Sequence, residues 1–255
     1  MKSRIILTSM AGMTVLAVGS ANAAVINWTV QTISNDASDI SNAGTTVVAA
    51  SGSDGGTNEN LVDNVTVATV NGVAFTDAFT LDSPSHLDTL NARANASGQY
   101  YEMLRFADRQ SSGIATWSFS GLTVGNTYVF QVWYSDDGST AANQGLVMAA
   151  QTYLNAGSAV TPVINGTGTA LLLAEVGPDS PASSPGQFAT GTFIADATTQ
   201  TLIGRAYTNL LTTPGTTVNV TINAYQLRDL GVIPEPGSLA LLGLGGLLIA
   251  GRRRG

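Results

Sequence analysis

Apolar and polar positions alternate along this chain in short runs separated by polar clusters, a rhythm that predicts strands. Ile26, Trp28 and Val30 alternate with Asn27, Thr29 and Gln31, the period-2 pattern of a half-buried strand. The clusters SNDASDISNAG and SGSDGGTNEN flank a second short run, TTVVAA. In VTVATVNGVAFTDAF two β-rich runs meet at Asn71-Gly72. Both central residues of a type I′ turn take positive φ, which asparagine and glycine tolerate best, so this stretch predicts a tight hairpin. From Asp82 to Arg109 the pattern is less regular, and GQYYEMLRFADR predicts one or two helical turns.

Strand chemistry returns with a run centred on Trp117, a turn at Gly125-Asn126, and a run from Thr127 to Ser135. The last carries Tyr128, Phe130, Val132 and Tyr134 on one face and Val129 and Trp133 on the other. Apolar residues on both faces predict a central strand covered on both sides. GTALLLAEV, GQFATGTFIAD, TQTLIGRAY and TTVNVTINAYQLRDL follow, at spacings typical of a β-sandwich. EVGPDSPASSPG, with three prolines, predicts a long exposed loop. There is no fixed-period repeat.

The two ends follow another pattern. Lys2 and Arg4 precede an apolar run from Ile5 to Val18, and Ala21-Asn22-Ala23 supplies small residues after it. That is the three-part pattern of a secretory signal peptide over residues 1–23, with signal peptidase cutting between Ala23 and Ala24. Near the other end, Gly237 to Gly251 is an uncharged, mostly apolar run of 15 residues. As a helix it reaches only ~22 Å, short of a hydrocarbon core of about 30 Å. Its five glycines (Gly237, Gly243, Gly245, Gly246, Gly251) weaken such a helix by up to ~1 kcal/mol each. The run suits transient retention in a membrane, with Arg252, Arg253 and Arg254 held at the cytoplasmic face.

Pro234-Glu235-Pro236, the Gly/Leu-rich run and the arginine cluster together resemble the PEP-CTERM sorting signal, over residues 232–255. The resemblance implies recognition by exosortase, a membrane transpeptidase-like protease of Gram-negative bacteria that make exopolysaccharide. It implies export, processing near the PEP element, and release or attachment at the cell surface or extracellular matrix. SGLTVGNTYVFQVWYSDD, GQFATGTFIADATTQT and INAYQLRD resemble a body type recurrent among PEP-CTERM proteins, which implies a jelly-roll, galactose-binding-like sandwich. The expected architecture is all-β: a single jelly-roll-like β-sandwich over residues 24–231 with an irregular, partly helical insert. A signal peptide precedes it and a C-terminal hydrophobic helix follows.

Charge narrows the partners. Sixteen acidic residues stand against five arginines in the body, a net charge near −11, and no lysine follows Lys2. Nucleic-acid affinity comes from neutralising phosphates with Lys and Arg, so nucleic acid is excluded as a partner. The chain has no cysteine, and the fold rests on burial and sheet hydrogen bonding. About 210 residues fill one large all-β domain or two small ones.

Candidate chemistry is sparse. His86, the one histidine, lies between Asp82 and Asp88 in LDSPSHLDTL without a nucleophile elbow, and reads as a surface-loop residue. No HExxH site, Cys–His dyad, Schiff-base lysine or P-loop lysine is available. Paired-carboxylate chemistry needs two acids about 5 to 10 Å apart. Asp136-Asp137 ends the aromatic run and Glu102 and Asp108 lie in the irregular stretch; no strand sets two carboxylates at i and i+2 in an aromatic-rich context. Oxygen-rich loops offer hard donors for a structural calcium: Asn35, Asp36 and Asp39; Asp54, Asn58 and Glu59; Asp136 and Asp137. None has the EF-hand spacing. Trp117, Trp133, Tyr100, Tyr101 and Tyr134 are candidate sugar-stacking platforms, with a core position expected for each. No catalytic, cofactor-binding or metal-ligating residue is assigned. The expected role is non-enzymatic, structural, adhesive or carbohydrate-binding, and linked to exopolysaccharide. The alternative is a jelly-roll polysaccharide-active hydrolase or lyase using paired carboxylates.

Overall fold

The computed structural model describes residues 24–34, 36–52, 67–76, 87–88, 98–110, 114–135, 145–150, 169–173, 186–207 and 220–233. The first strands are β1 (Asn27–Thr32), β2 (Thr45–Ser51), β3 (Val67–Val70), β4 (Val73–Thr76) and β5 (Leu87–Asp88). Helix α1 (Gln99–Arg105) comes next, followed by β6 (Phe106–Gln110), β7 (Ile114–Ser120), β8 (Thr127–Tyr134) and β9 (Gly145–Ala150). The last are β10 (Thr169–Leu173), β11 (Gln187–Ile194), β12 (Thr199–Tyr207), β13 (Val220–Ile222) and β14 (Ala224–Gly231).

The architecture is all-β, as the alternation predicts. A seven-stranded sheet has the order β1-β11-β8-β14-β2-β4-β3, and a four-stranded sheet the order β10-β9-β12-β7. A small third sheet runs β13-β6-β5. Pairing is antiparallel except where β2 meets β4 through Ala50 and Thr76.

Strand β8 shows why the large sheet is covered on both sides. Every one of its residues is buried. Tyr128, Phe130, Val132 and Tyr134 face the four-stranded sheet and share a core with Trp117, Leu146, Met148 and Leu202. The ring of Trp117 lies 5.7 Å from Phe130 and 6.1 Å from Tyr225, which closes the space between the sheets. On the opposite face Trp133 meets Phe75 edge-on at 5.9 Å and stacks on Phe188 at 5.8 Å. Met103 and Leu104 of α1 complete that second core.

The hairpin forms as expected. Val70 pairs with Val73, and Asn71 (φ 48°) and Gly72 (φ 76°) both take the positive φ that a type I′ turn requires. Three local expectations are corrected. The turn before β8 is centred on Val124-Gly125, one residue early, with Asn126 N–H donating to Thr123 O at 3.1 Å and Gly125 at φ 88°. FADRQ does not extend the helix or remain irregular; it becomes β6, because β5 offers antiparallel partners to Phe106 and Ala107 and β13 to Asp108 through Gln110. TTVNVTINAYQLRDL is not one run but two strands divided at Asn223.

Candidate functional site

Strand β14 carries the body's last described segment and lies between β8 and β2. Its alternate residues have different duties. Tyr225 and Leu227 face the core shared with the four-stranded sheet, whereas Gln226 and Arg228 face the segment 33–44 that crosses the outer face. Gln226 stands directly opposite Gln131 of β8, which stands opposite Thr190 of β11. Gln226 Nε2 donates to Gln131 Oε1 at 2.5 Å and to Ser41 O at 3.0 Å. Gln131 Nε2 donates to Asp39 O and Thr190 Oγ1, both at 3.1 Å. These buried amides pin the crossing segment to the sheet.

Arg228 fixes the end of that segment. Its guanidinium donates to the carbonyls of Ala43 (2.6 Å), Asn42 (2.9 Å) and Gly44 (2.8 Å) and to Thr46 Oγ1 (2.6 Å). Burial pushes its pKa below the usual arginine value, and the carbonyl cradle compensates the desolvated charge in place of a carboxylate. Gly44 (φ 70°) fits against this arrangement because any Cβ there would stand 2.2 Å from Asp229 O.

Asp229 closes the end of β14. Burial acts to raise its carboxyl, but hydrogen bonds outweigh it and hold the group below its ordinary value. Gly231 N–H donates to Oδ1 at 2.7 Å, Asn126 Nδ2 reaches both oxygens at 3.0 Å, and Tyr128 O–H donates to Oδ2 at 3.2 Å. Tyr128 Oη in turn accepts from Thr123 N–H at 2.8 Å. The clasp ties the turn before β8 to the last turn of β14. Beyond Gly231 (φ 72°), Val232 and Ile233 are exposed.

The residues singled out in the sequence fall in several places. Ala24 is buried at the start of the described chain; Ala21 and Ala23 lie outside the described residues, as do Pro234, Glu235, Pro236, Arg252, Arg253 and Arg254. Trp117, Trp133, Tyr100 and Tyr134 are all buried, so none of the four offers a face to a sugar. Asp36 caps the 3-10 turn Ala37–Asp39 by accepting from Ser38 N–H at 2.9 Å. Asp39 accepts from Ser34 N–H (2.8 Å), Ser34 O–H (2.7 Å) and Tyr100 O–H (2.8 Å). Burial first, then the charge of Asp39, pushes the Tyr100 hydroxyl far above its ordinary value, so it stays a donor. A cation at Asp39 would have to displace these donors. His86, Asp82, Asn35, Asp54, Asn58, Glu59, Asp136 and Asp137 lie outside the described residues, as do the side chains of Tyr101, Glu102 and Asp108. Among the described residues no group of three or more His, Cys, Asp or Glu gathers as a metal site. No helix among them is long and apolar enough to cross a membrane.

The clasp of Asn126, Tyr128 and Asp229 has no signature in the sequence, since its members lie 101 and 103 positions apart.

Residues 232–254 match the PEP-CTERM protein-sorting motif. The match begins at Val232, the residue after β14 ends. Such a motif marks an exported protein that exosortase processes at the membrane. No curated protein and no solved structure matches the chain.

Proposed function

We propose that this chain is a non-enzymatic structural or adhesive protein of the cell surface or exopolysaccharide matrix of a Gram-negative bacterium, delivered there by its two end segments. The observation that carries the reading is the sorting motif starting on the residue after the last strand. Signal peptidase removes residues 1–23, the body folds outside the cytoplasm, and residues 237–251 hold it transiently at the inner membrane. Exosortase then acts near Pro234-Glu235-Pro236. The body tolerates cutting there because β14 is gripped by β8, β2 and the Asp229 clasp, while Val232 and Ile233 just beyond it are exposed. Mass spectrometry of surface-fraction protein tests the reading: a mature chain beginning at Ala24 and lacking Arg252 to Arg254 is expected. An intact arginine cluster there would overturn it.

A body near −11 meets neutral, hydroxyl-rich polysaccharide without a charge penalty, and anionic polysaccharide only through a bridging cation. Physiological salt shortens the repulsion to about 8 Å but leaves it at contact. Binding of the body to neutral glycans is expected both with calcium and with chelator, and to anionic glycans with calcium only. Tight anionic-glycan binding under chelation would contradict the electrostatic argument. Release of new reducing ends from any polysaccharide would replace this role with a hydrolytic one.

A further inference from the structure

We propose that the end of the large sheet from which β14 exits is a lipid-facing surface, which rests on the membrane while the C-terminal segment is held there. The proposal rests on the reading that residues 237–251 enter the bilayer. Among the described residues six large apolar side chains are exposed: Val25 (51%), Val47 (47%), Val124 (57%), Ile194 (61%), Val232 (71%) and Ile233 (55%). Single exposed hydrophobes are ordinary on a soluble protein. Here, however, strand register gathers them.

Thr127, at the start of β8, pairs with Ile194 on one side and with Gly231 on the other. The ends of β11 and β14 therefore flank the start of β8, and Val232 and Ile233 continue from there. Val124 sits in the turn into β8, whose Gly125 N–H donates to Ala195 O at 2.8 Å, next to Ile194. Val25 lies two residues before Asn27, which pairs with Thr192, two residues before Ile194. Val47 lies slightly inward, two residues after Thr45, the partner of Asp229. At the opposite end, where Thr32, Gln187 and Tyr134 align, no described large apolar side chain is exposed.

The occupant follows from the chain that leaves this end. Val232 to Gly237 is six residues, and fully extended they reach at most about 22 Å. While the apolar run is in the bilayer, the sheet end that carries these side chains is kept within that distance of it. An apolar surface so placed is buried among headgroups to a depth of about 5 to 10 Å. The body's negative charge favours a zwitterionic over an anionic surface. The carboxylate of Asp229 is taken up by its three donors, which leaves Asp196, beside Ala195, as the exposed acid there among the described residues.

The natural chain has no cysteine, so single-cysteine variants of the full-length protein report one site each. Val124→Cys, Ile194→Cys, Thr32→Cys at the far end and Leu242→Cys in the apolar run would each carry an environment-sensitive dye. Each is reconstituted in phosphatidylcholine vesicles containing a lipid-attached quencher. The expected result is strong quenching at Val124, Ile194 and Leu242 and little at Thr32. Quenching at Leu242 with none at Val124 and Ile194 would overturn the lipid-facing surface and leave the anchor reading intact. No quenching at Leu242 would overturn both. A blue-shifted Val124 dye insensitive to the quencher would show the C-terminal segment folded over this end and overturn the proposal. Protection appearing only when exosortase is added would assign the surface to a protein partner, and would overturn it too.

Discussion

Gly191 stands opposite Trp28 in the β1–β11 pair, and the indole occupies the space its side chain would need. A methyl group there would lie 2.7 Å from Trp28 Cζ3 and 2.8 Å from Ile26 Cγ2, both buried. Gly191→Ala is expected to cost about 1–3 kcal/mol through overpacking, read as a lower urea midpoint at unchanged slope. Asn223 is a second residue whose role is set by its neighbours. Fully buried between β13 and β14, it donates from Nδ2 to Leu104 O at 2.8 Å and accepts from Ser135 N–H at 2.7 Å. Its backbone N–H donates to Trp133 O, and its carbonyl accepts from Gly52 N–H. It thus joins the ends of α1, β8 and β2. Asn223→Ala orphans the side-chain partners, and a loss of about 2–4 kcal/mol is expected, since each unsatisfied buried group costs about 1–3 kcal/mol. Loss of less than about 1 kcal/mol in thermal or chemical unfolding would contradict the assigned bonds.

At the scale of elements, the β3–β4 hairpin separates backbone conformation from packing. A Cβ on Gly72 would meet nothing within 4 Å, yet its φ is 76°. Gly72→Val is therefore expected to cost about 1–2 kcal/mol, the steric price of the left-handed region for a Cβ-bearing residue. Gly72→Asn, which tolerates that region, should lose much less. Equal losses in the two variants would show that something other than φ is at stake. The hairpin is legible because its turn chemistry and its strands adjoin in sequence. Strand β6 is not: QYYEMLRFADRQ favours a continuing helix locally, and FADRQ becomes a strand only because β5 pairs with Phe106 and Ala107 and β13, more than a hundred residues downstream, pairs with Asp108 to Gln110. Strand β9 lacks a sequence signature for a related reason. GLVMAA is short and alanine-rich and has no alternation, and it extends because β10 and β12 flank it.

The clasp at Asp229 links the whole molecule to pH. Its carboxyl is held below the ordinary value in the folded state, whereas in the unfolded chain it titrates near ~3.9. The stability it contributes is therefore fully present above about pH 4 and is lost as pH falls through the lower folded value. The stability gap between the natural chain and Asp229→Asn should be constant from about pH 5 to 8 and should narrow in more acidic solution. A gap that widened on acidification, in denaturation curves taken across pH, would reverse the sign of the argument.

The sequence by itself determined what is local. Period-2 alternation set the strand class, apolar residues on both faces of 127–135 marked a central strand, and Asn71-Gly72 set one turn. The PEP element, apolar run and arginines set a sorting signal that reads linearly. Tertiary structure decided what depends on distant neighbours. Arg228 bonds Thr46 across 182 positions and Gln226 bonds Gln131 across 95. The gathering of Val25, Val124, Ile194, Val232 and Ile233 at one end likewise exists only through strand order. An isolated strand has the same alternation whichever strand lies beside it. Its partners are chosen by which arrangement buries both faces and pairs every backbone group, and only the folded chain carries out that selection.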